Sequence, residues 1–413
     1  MNVSVVFHVL ATLAAVIALG YVLGRVCKLV GQPPVIGEVI AGILLGPSCL
    51  GAISPAAMHL LIPSAEVDVN GQVPTALKAI SQLGIVLYLF LVGLDLNAAM
   101  LKKAAGTAAA VSITSIALPF FLGVALSLWL YPILSTTNVT LTNFALYLGT
   151  ALSVTAFPVL ARILADRKQD KTPLGILALG CAAADDLIAW CMLAFVVGVS
   201  KAEVSGAIGT AAASVAFIAI LFVVVRPVIN KLCRKIDAMP GPLPSAAIPL
   251  TLVAVLLAAL TTETIGIHAV FGAFLLGVII PHDSRLAVEI SGRLKDVVTV
   301  LLLPAFFALT GLRTEIGLIS GWQNWLICAT IILVATLGKF GGTLLAGKLT
   351  GLSWRVSASL GAMMNTRGLM ALIVLDIGLK EGVISPTLYA MMVVMALVTT
   401  LATAPCLRLL GRG

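Results

Sequence analysis

The chain has 413 residues, of which 60% are hydrophobic and only 10% are charged, and its formal net charge is +8. Soluble globular domains carry about 25% charged residues, so this composition excludes that class and indicates a polytopic membrane protein. The basic excess would also fit a nucleic-acid-binding protein, but the positions of the lysines and arginines decide against it, as described below.

Windowed hydropathy predicts thirteen membrane-spanning helices. Their predicted ranges, in chain order, are 5–27, 35–53, 76–97, 104–131, 142–164, 174–199, 206–230, 246–263, 266–281, 297–312, 323–347, 354–378 and 386–409. The first segment lacks a basic leader and a cleavage site, so it is interpreted as a membrane helix rather than a signal peptide. The seven cysteines are scattered, without a CxxC pair or a Cys/His cluster, so neither a disulfide framework nor a metal site built from them is expected.

Basic residues are concentrated in every second loop between the predicted spans, that is, on one side of the membrane. The loops on the side of the N-terminus carry few: Lys78, Lys201, Arg313 and Lys380. The loops on the other side carry many: Arg25, Lys28, Lys102, Lys103, Arg162, Arg167, Lys168, Lys171, Arg226, Lys231, Arg234, Lys235, Arg285, Arg293, Lys295, Lys348, Arg355, Arg408 and Arg412. The positive-inside rule then predicts an outer N-terminus, a cytoplasmic C-terminus and an odd number of spans. The net charge is therefore a topology signal, and no nucleic-acid partner is predicted.

Two adjacent carboxylates, Asp185 and Asp186, lie in the middle of the apolar segment LGILALGCAAADDLIAWCMLAFVVGV. A charged side chain at this depth costs about 2.5–3.5 kcal/mol on insertion scales, and two like charges side by side cost more. One interpretation is a helix end or a buried structural pair. The other is an intramembrane site for a cation or a proton, which the apolar residues on both sides favour.

Lys339 lies deep inside the eleventh predicted span. It either extends to the cytoplasmic face past Gly341 and Gly342 or pairs with a buried carboxylate, for which Asp185 is the candidate. Such a pair could exchange protons or be opened by an incoming cation.

Polar residues interrupt two apolar helices. Ser153, Thr155 and Pro158 fall in the fifth span, and Asn365, Thr366, Arg367 and Gly368 fall in the middle of the twelfth. Either helix could be merely kinked by these residues. A broken helix, by contrast, frees carbonyls and half-helix ends that bind ions, and interrupted segments at corresponding places in two halves mark the binding site of a transporter.

Two pairs of stretches also recur in the same order. GEVIAGILLGP (37–47) resembles GAFLLGVIIP (272–281), and LYLFLVGLDLNAAM (87–100) resembles LPAFFALTGLRTEIG (303–317). Six spans, a linker span and six more would place the halves in opposite orientations, as in many secondary transporters. No dinucleotide fingerprint, Walker loop or nucleophile–histidine arrangement is present, so we expect neither an enzyme nor a cofactor, and transport driven by ion gradients.

These motifs together resemble the second family of monovalent cation:proton antiporters. The resemblance covers nearly the whole chain and is strongest in PPVIGEVIAGILLGP, SVTAFPVLARIL, AAADDLIAW, GAFLLGVIIP and MNTRGLMALIVLDIG. It implies the all-α sodium/proton antiporter fold, with about thirteen helices in two inverted repeats and crossed, discontinuous fifth and twelfth helices. The glutathione-gated potassium efflux systems of this family continue into a soluble nucleotide-binding domain, whereas this sequence ends at Gly413. Either the protein lacks that domain or the sequence is truncated before it, so regulation by such a domain is not predicted.

The resemblance also implies a homodimer in which each chain has a scaffold part and an ion-transporting part. Residues 1–100 and 246–315 would form a dimerisation scaffold, residues 101–199 and 320–413 a mobile ion-transporting core, and residues 206–235 a linker helix. The core would slide as an elevator. Asp186 would bind cation and proton in competition, while Asp185 would pair with Lys339. The double aspartate looks like that of electrogenic exchangers, which move more protons than cations per cycle.

The resulting hypothesis is an inner-membrane antiporter of Na⁺, or of K⁺ or Li⁺, that serves pH homeostasis. Asp185, Asp186, Thr155 and Ser153 would bind the proton and the alkali cation, and Lys339, Asn365, Thr366 and Arg367 would support them. Oxygen ligands suit hard alkali ions. The alternatives are a channel-like potassium efflux pathway, which would move no protons, and a sodium- or proton-coupled symporter of a small organic solute.

Overall fold

The computed structural model describes residues 4–410 apart from residues 33, 64–70, 96–104, 138, 170–171, 202–203, 267–268 and 313. Its first half contains α1 (Val5–Leu29), α2 (Pro34–Leu45), α3 (Leu50–Ile53), α4 (Pro55–Leu61), α5 (Gln72–Asp95), α6 (Ala105–Leu134), α7 (Leu141–Ser153), α8 (Phe157–Asp166) and α9 (Pro173–Lys201).

The second half contains α10 (Val204–Ile220), α11 (Arg226–Asp237), α12 (Ala247–Ile265), α13 (Ala269–Ile279), α14 (Arg285–Asp296), α15 (Leu303–Leu312), α16 (Gly321–Thr336), α17 (Gly342–Leu349), α18 (Trp354–Met364), α19 (Leu369–Lys380) and α20 (Pro386–Leu410). Three π-helical turns, Leu221–Val225, Val297–Leu302 and Leu337–Gly341, join α10 to α11, α14 to α15 and α16 to α17. The predicted all-α membrane fold is confirmed.

Nine helices among the described residues are long and apolar enough to cross a membrane: Val5–Leu29, Pro34–Ile53, Gln72–Asp95, Ala109–Leu134, Pro173–Leu193, Ala212–Asp237, Ala247–Ile265, Gly321–Leu349 and Pro386–Leu410. Each of the thirteen predicted spans overlaps a helix or an interrupted helix. How many of them cross the membrane stays a prediction. Seven basic residues used to predict the topology lie outside the described residues: Lys102, Lys103, Lys171, Arg313 and Arg412 entirely, and Arg162 and Lys201 in their side chains.

Hydroxyl side chains fix the starts of several helices. Ser4, Thr140, Ser284 and Ser353 each accept the backbone N–H of the residue three positions later, at the N-termini of α1, α7, α14 and α18. Such a cap satisfies one of the N–H groups that a helix leaves without an internal partner.

Both helices that the sequence marks as interrupted are broken. Non-helical backbone at residues 154–156 separates α7 from α8, and residues 365–368 separate α18 from α19. The two breaks meet, because the N–H of Ala156 donates to the carbonyl of Thr366 at 3.1 Å. Gly368 makes this approach possible, since a Cβ at that position would lie 2.6 Å from a methyl group of Val159. That the two helices cross stays a prediction.

The π-helical turn that carries Lys339 packs tightly on α6. A Cβ at Gly338 would lie 2.7 Å from the Cα of Pro119, and one at Gly342 would lie 2.9 Å from the carbonyl oxygen of Thr114. Only glycine allows this contact of backbones, which brings the turn against the middle of α6.

The helices form two compact units. One comprises Met1–Val69, Ala99–Leu193 and Phe307–Gly413, and it contains every predicted site residue. The other comprises Asn70–Ala98 and Ala194–Phe306. The functional division into scaffold, linker and core was drawn from the resemblance and stays a prediction.

In the second unit, α11 and α14 cap each other. The Asp237 carboxylate at the end of α11 accepts the backbone N–H of Arg285 at 2.9 Å, at the start of α14. The Arg285 guanidinium donates in turn to the carbonyls of Met239, at 2.8 Å, and of Gly241 just beyond α11. A carboxylate at a helix N-terminus and a cation at a C-terminus both oppose the helix dipole favourably.

We expect Arg285→Ala to lower the stability of the protein by about 1–3 kcal/mol, because charged hydrogen bonds to the end of α11 are lost. Arg293→Ala is the matched control. It removes an arginine of the same helix whose ion pair with Glu289, at 2.9 Å, is solvent-exposed and of little energetic value. Thermal unfolding of the purified protein in detergent should show a lower midpoint for Arg285→Ala alone, and equal midpoints for the two variants would contradict the mutual capping.

Candidate functional site

The two adjacent aspartates lie in the interior of α9, which runs from Pro173 to Lys201. Their exposed fractions are 0% for Asp185 and 2% for Asp186. Neither lies at a helix end. The hydrogen-bond and ion-pair partners of these buried carboxylates therefore show how each is stabilised.

Asp185 is surrounded by donors. Its Oδ2 atom accepts Lys339 Nζ at 2.7 Å, the Ser115 hydroxyl at 2.8 Å and the Thr155 hydroxyl at 2.9 Å. These donors come from the π-helical turn after α16, from α6 and from the break after α7. A buried carboxylate is tolerated when it is both paired with a cation and hydrogen-bonded, and Asp185 meets both conditions.

Lys339 is itself fully buried, so it does not extend to a membrane surface. Its Nζ atom donates to Asp185 and also, at 2.6 Å, to the carbonyl of Ser153. The π-helical turn Leu337–Gly341 places it there, and such turns widen a helix locally and often occur at functional sites.

Asp186 differs from its neighbour. No side chain among the described residues donates to it, whereas three donate to Asp185 Oδ2. The Oδ1 atoms of both aspartates are buried and have no hydrogen-bond partner among those residues. The Asp186 carboxylate faces the backbone N–H of Phe157 at the start of α8, and it also lies within the fields of Asp185 and Lys339. It is therefore a buried acidic group at the N-terminal end of a half-helix, where anions are stabilised.

Arg367 closes the opposite half-helix end. Its guanidinium donates to the carbonyl of Ala151 at 3.2 Å and to that of Leu152 at 2.7 Å. With Lys339 on the carbonyl of Ser153, the last three carbonyls of α7 each accept a hydrogen bond from a buried cation. The C-terminal end of a helix is its negative pole, and these three residues are buried, so both cations stabilise a buried pole.

The remaining predicted residues line the same breaks. The Thr155 hydroxyl lies between Asp185 Oδ2 and the carbonyl of Met364, at 2.9 and 3.3 Å. The Ser153 hydroxyl donates toward carbonyls of its own helix and of α6. Asn365 is 6% exposed, and its Oδ1 atom has no partner among the described residues. The Thr366 hydroxyl contacts that of Thr403 at 3.2 Å.

Three residues at the site were missed by the sequence reasoning. The Ser115 hydroxyl donates to Asp185. Two threonines of α20 contact the second break: Thr400 accepts the N–H of Arg367 at 3.0 Å, and the hydroxyl of Thr403 contacts that of Thr366. The run VTTLATAP was the available signal for the two threonines. Hydroxyl residues are common in membrane helices, however, because they can bond to their own backbone.

The donor atoms in this centre are carboxylate, hydroxyl, amide and carbonyl oxygens. The described residues contain no group of three His, Cys, Asp or Glu side chains that could hold a metal ion. An oxygen-only set of this kind suits a hard alkali cation.

The chain is similar to known proteins in sequence and in fold. The sequence profile of the sodium/hydrogen exchanger family, transmembrane, matches residues 13–409. The sodium proton antiporter MjNhaP1 from Methanocaldococcus jannaschii has a similar fold, with a TM-score of 0.71 over 99% of this chain and all of that one, at 13% sequence identity.

Two curated relatives are similar in sequence. The Na⁺/H⁺ antiporter NhaS4 of Synechocystis is 39% identical over 98% of this chain and 97% of its own length. Cation/H⁺ antiporter 19 of Arabidopsis thaliana is 35% identical over 92% of this chain, which spans only 46% of that longer protein.

The profile match covers nearly the whole chain, and the Synechocystis relative aligns from end to end. The chain therefore belongs to the sodium/hydrogen exchanger family of monovalent cation:proton antiporters, and it is a transporter rather than an enzyme.

Proposed function

We propose that this protein exchanges protons for Na⁺, or for K⁺ or Li⁺, and that Asp186 carries the proton and the cation in turn. The observation that carries the proposal is the contrast between the two aspartates. Three side chains, including the Lys339 ammonium, donate to Asp185 Oδ2, whereas no side chain among the described residues donates to Asp186. The Oδ1 atom of each aspartate is buried without a partner among those residues.

A single carboxylate is enough to couple the two ions. A proton and a cation cannot occupy the same oxygen together, so each must leave before the other binds. Asp185 is unsuited to this task while Lys339, Ser115 and Thr155 occupy it. Asp186 is next to it in the chain but has no such competitors.

Thr155 and Ser153 would help to bind the cation. A hydroxyl that donates its hydrogen still has lone pairs for a metal ion, so the hydrogen bond from Thr155 to Asp185 does not prevent coordination. The carbonyls at the end of α7 are less suitable, because Arg367 and Lys339 already occupy them. In this proposal Arg367, Asn365 and Thr366 hold the breaks in shape rather than bind the ion.

The buried charges make the proton-loaded and the cation-loaded core electrostatically equivalent. Asp185 and Asp186 balance Lys339 and Arg367 when all four are ionised. A proton on Asp186 adds one positive charge to this set, and so does a bound cation. The four buried groups therefore carry a net charge of about +1 whether Asp186 holds a proton or a cation, and burying that charge costs the same in both cases. Without either ion the four groups are neutral overall.

We further propose an elevator movement in a homodimer of the inner membrane, with the N-terminus outside and the C-terminus in the cytoplasm. The alternating positive loops support this orientation. The family resemblance supports the movement of residues 101–199 and 320–413 against residues 1–100 and 246–315. The Synechocystis relative is named for Na⁺ and the Arabidopsis relative for cations in general, so Na⁺ is the first ion to test.

Asp186→Asn should abolish exchange, because an amide neither ionises nor neutralises a bound cation. The measurement uses proteoliposomes with an internal pH dye, an imposed pH gradient and additions of Na⁺, K⁺ or Li⁺. Asp283→Asn is the matched control, since that carboxylate is 81% exposed in a loop. We expect one or more cations to collapse the gradient with the wild type and the control only. Exchange by Asp186→Asn at the wild-type rate would refute the assignment.

Lys339→Met should destabilise the protein by about 3–5 kcal/mol, because it leaves the Asp185 carboxylate buried without a counter-ion. The double variant Asp185→Asn, Lys339→Met replaces the pair by neutral groups of similar size and should recover much of that loss. Thermal unfolding midpoints in detergent would be compared for the wild type and both variants. A double variant no more stable than Lys339→Met would show that the pair does not act as described.

A further inference from the structure

The turn between α1 and α2 is bound to the last helix of the chain. Gln32 Nε2 donates to the carbonyl of Leu401 at 3.0 Å, and Arg408 Nη2 donates to the carbonyl of Val30 at 3.1 Å. Val35, at the start of α2, packs against an apolar cluster that includes Leu407. Val30, Gln32, Leu401 and Arg408 are called the latch below.

A proline creates the acceptor for Gln32. In a regular helix the carbonyl of residue 401 would accept the N–H of residue 405, but residue 405 is a proline, which has none. Gln32 supplies the missing donor from a distant part of the chain. The Leu401 carbonyl therefore depends on a contact between helices rather than on its own helix.

The contact between Gln32 and Leu401 also has a feature that favours its opening. The Oε1 atom of Gln32 is buried and has no partner among the described residues, which costs free energy while the latch is closed. Water would hydrate that oxygen once the segments part, and it would also replace Gln32 on the Leu401 carbonyl. The guanidinium of Arg408 is exposed and would remain hydrated in either position.

The same helix supports the ion site. Thr400, next to Leu401, accepts the N–H of Arg367, and Thr403 contacts Thr366 at the break between α18 and α19. A displacement of α20 is therefore a displacement of this break as well. Leu401 of the latch lies within one turn of both Thr400 and Thr403 on α20.

We propose that the latch holds the transporting core against α1 and α2 in one of the two transport positions and opens when the core moves. The inference rests on the proposed elevator, in which α1 and α2 belong to the scaffold and α20 to the core. Because a hydrogen bond of ordinary strength changes an equilibrium several-fold, loss of the latch shifts the balance between the positions without abolishing transport.

Cross-linking tests whether the latch must open. Val30→Cys and Arg408→Cys are introduced into a chain whose seven native cysteines are replaced by serine, and the pair is joined by a short reducible thiol cross-linker in proteoliposomes. We expect cation-driven proton exchange to stop on cross-linking and to return on reduction. Ser48→Cys with Thr314→Cys is the matched control. The Ser48 hydroxyl donates to the carbonyl of Thr314, both residues fall within the proposed scaffold, and their cross-link should leave exchange intact.

Exchange that continues in the cross-linked Val30/Arg408 protein would overturn the latch and leave the antiport activity standing. A wild-type protein that moves no protons with any alkali cation would overturn the proposed function, and the latch with it. The two failures are therefore distinguishable.

Pro405→Ala tests the origin of the latch. The alanine N–H can bond to the Leu401 carbonyl, so that Gln32 is no longer needed there. We expect Gln32→Leu to change the maximal exchange rate several-fold in the wild-type background and to have little effect in the Pro405→Ala background. An equal effect in both backgrounds would show that Gln32 does not act through Leu401.

Discussion

The buried ion pair between Lys339 and Asp185 is the interaction on which the centre of this protein depends. Both side chains are fully buried, and their atoms approach to 2.7 Å. The pair joins α9 to the π-helical turn after α16, while Ser115 and Thr155 add α6 and the first helix break. Without it, Asp185 and Asp186 would be two like charges side by side in a membrane, which neither bilayer nor protein tolerates. The pair therefore allows the neighbouring Asp186 to remain available.

The two interrupted helices complete this arrangement. The C-terminal pole of α7 is occupied by Arg367 and Lys339, and the N-terminal pole of α8 faces Asp186. A half-helix presents partial charges that a continuous helix would hide, so the breaks supply fixed partial charges at a buried site. The hydrogen bond between Ala156 and Thr366 joins the two breaks, so that they hold the site as one piece.

Much of this could be predicted from the sequence, because charges and prolines are costly inside apolar helices. The depth of Asp185, Asp186 and Lys339 indicated a buried centre, and the polar residues near 155 and 366 indicated the breaks. The detailed partners could not be predicted. The sequence predicts Thr155 as a cation ligand, and no local pattern indicates that its hydroxyl also donates to Asp185. The bond from Gln32 to Leu401 joins residues 369 positions apart, and no local pattern predicts it.

The central claim is that a cation and a proton compete for Asp186. It is tested most directly by adding Na⁺, K⁺ or Li⁺ to the purified protein in weakly buffered detergent solution and measuring the protons released as the cation binds. The account predicts release of about one proton per bound cation, or about two where Lys339 also gives up its proton, and no release from Asp186→Asn. Cation binding to the wild type without proton release, or equal release by the variant, would contradict it.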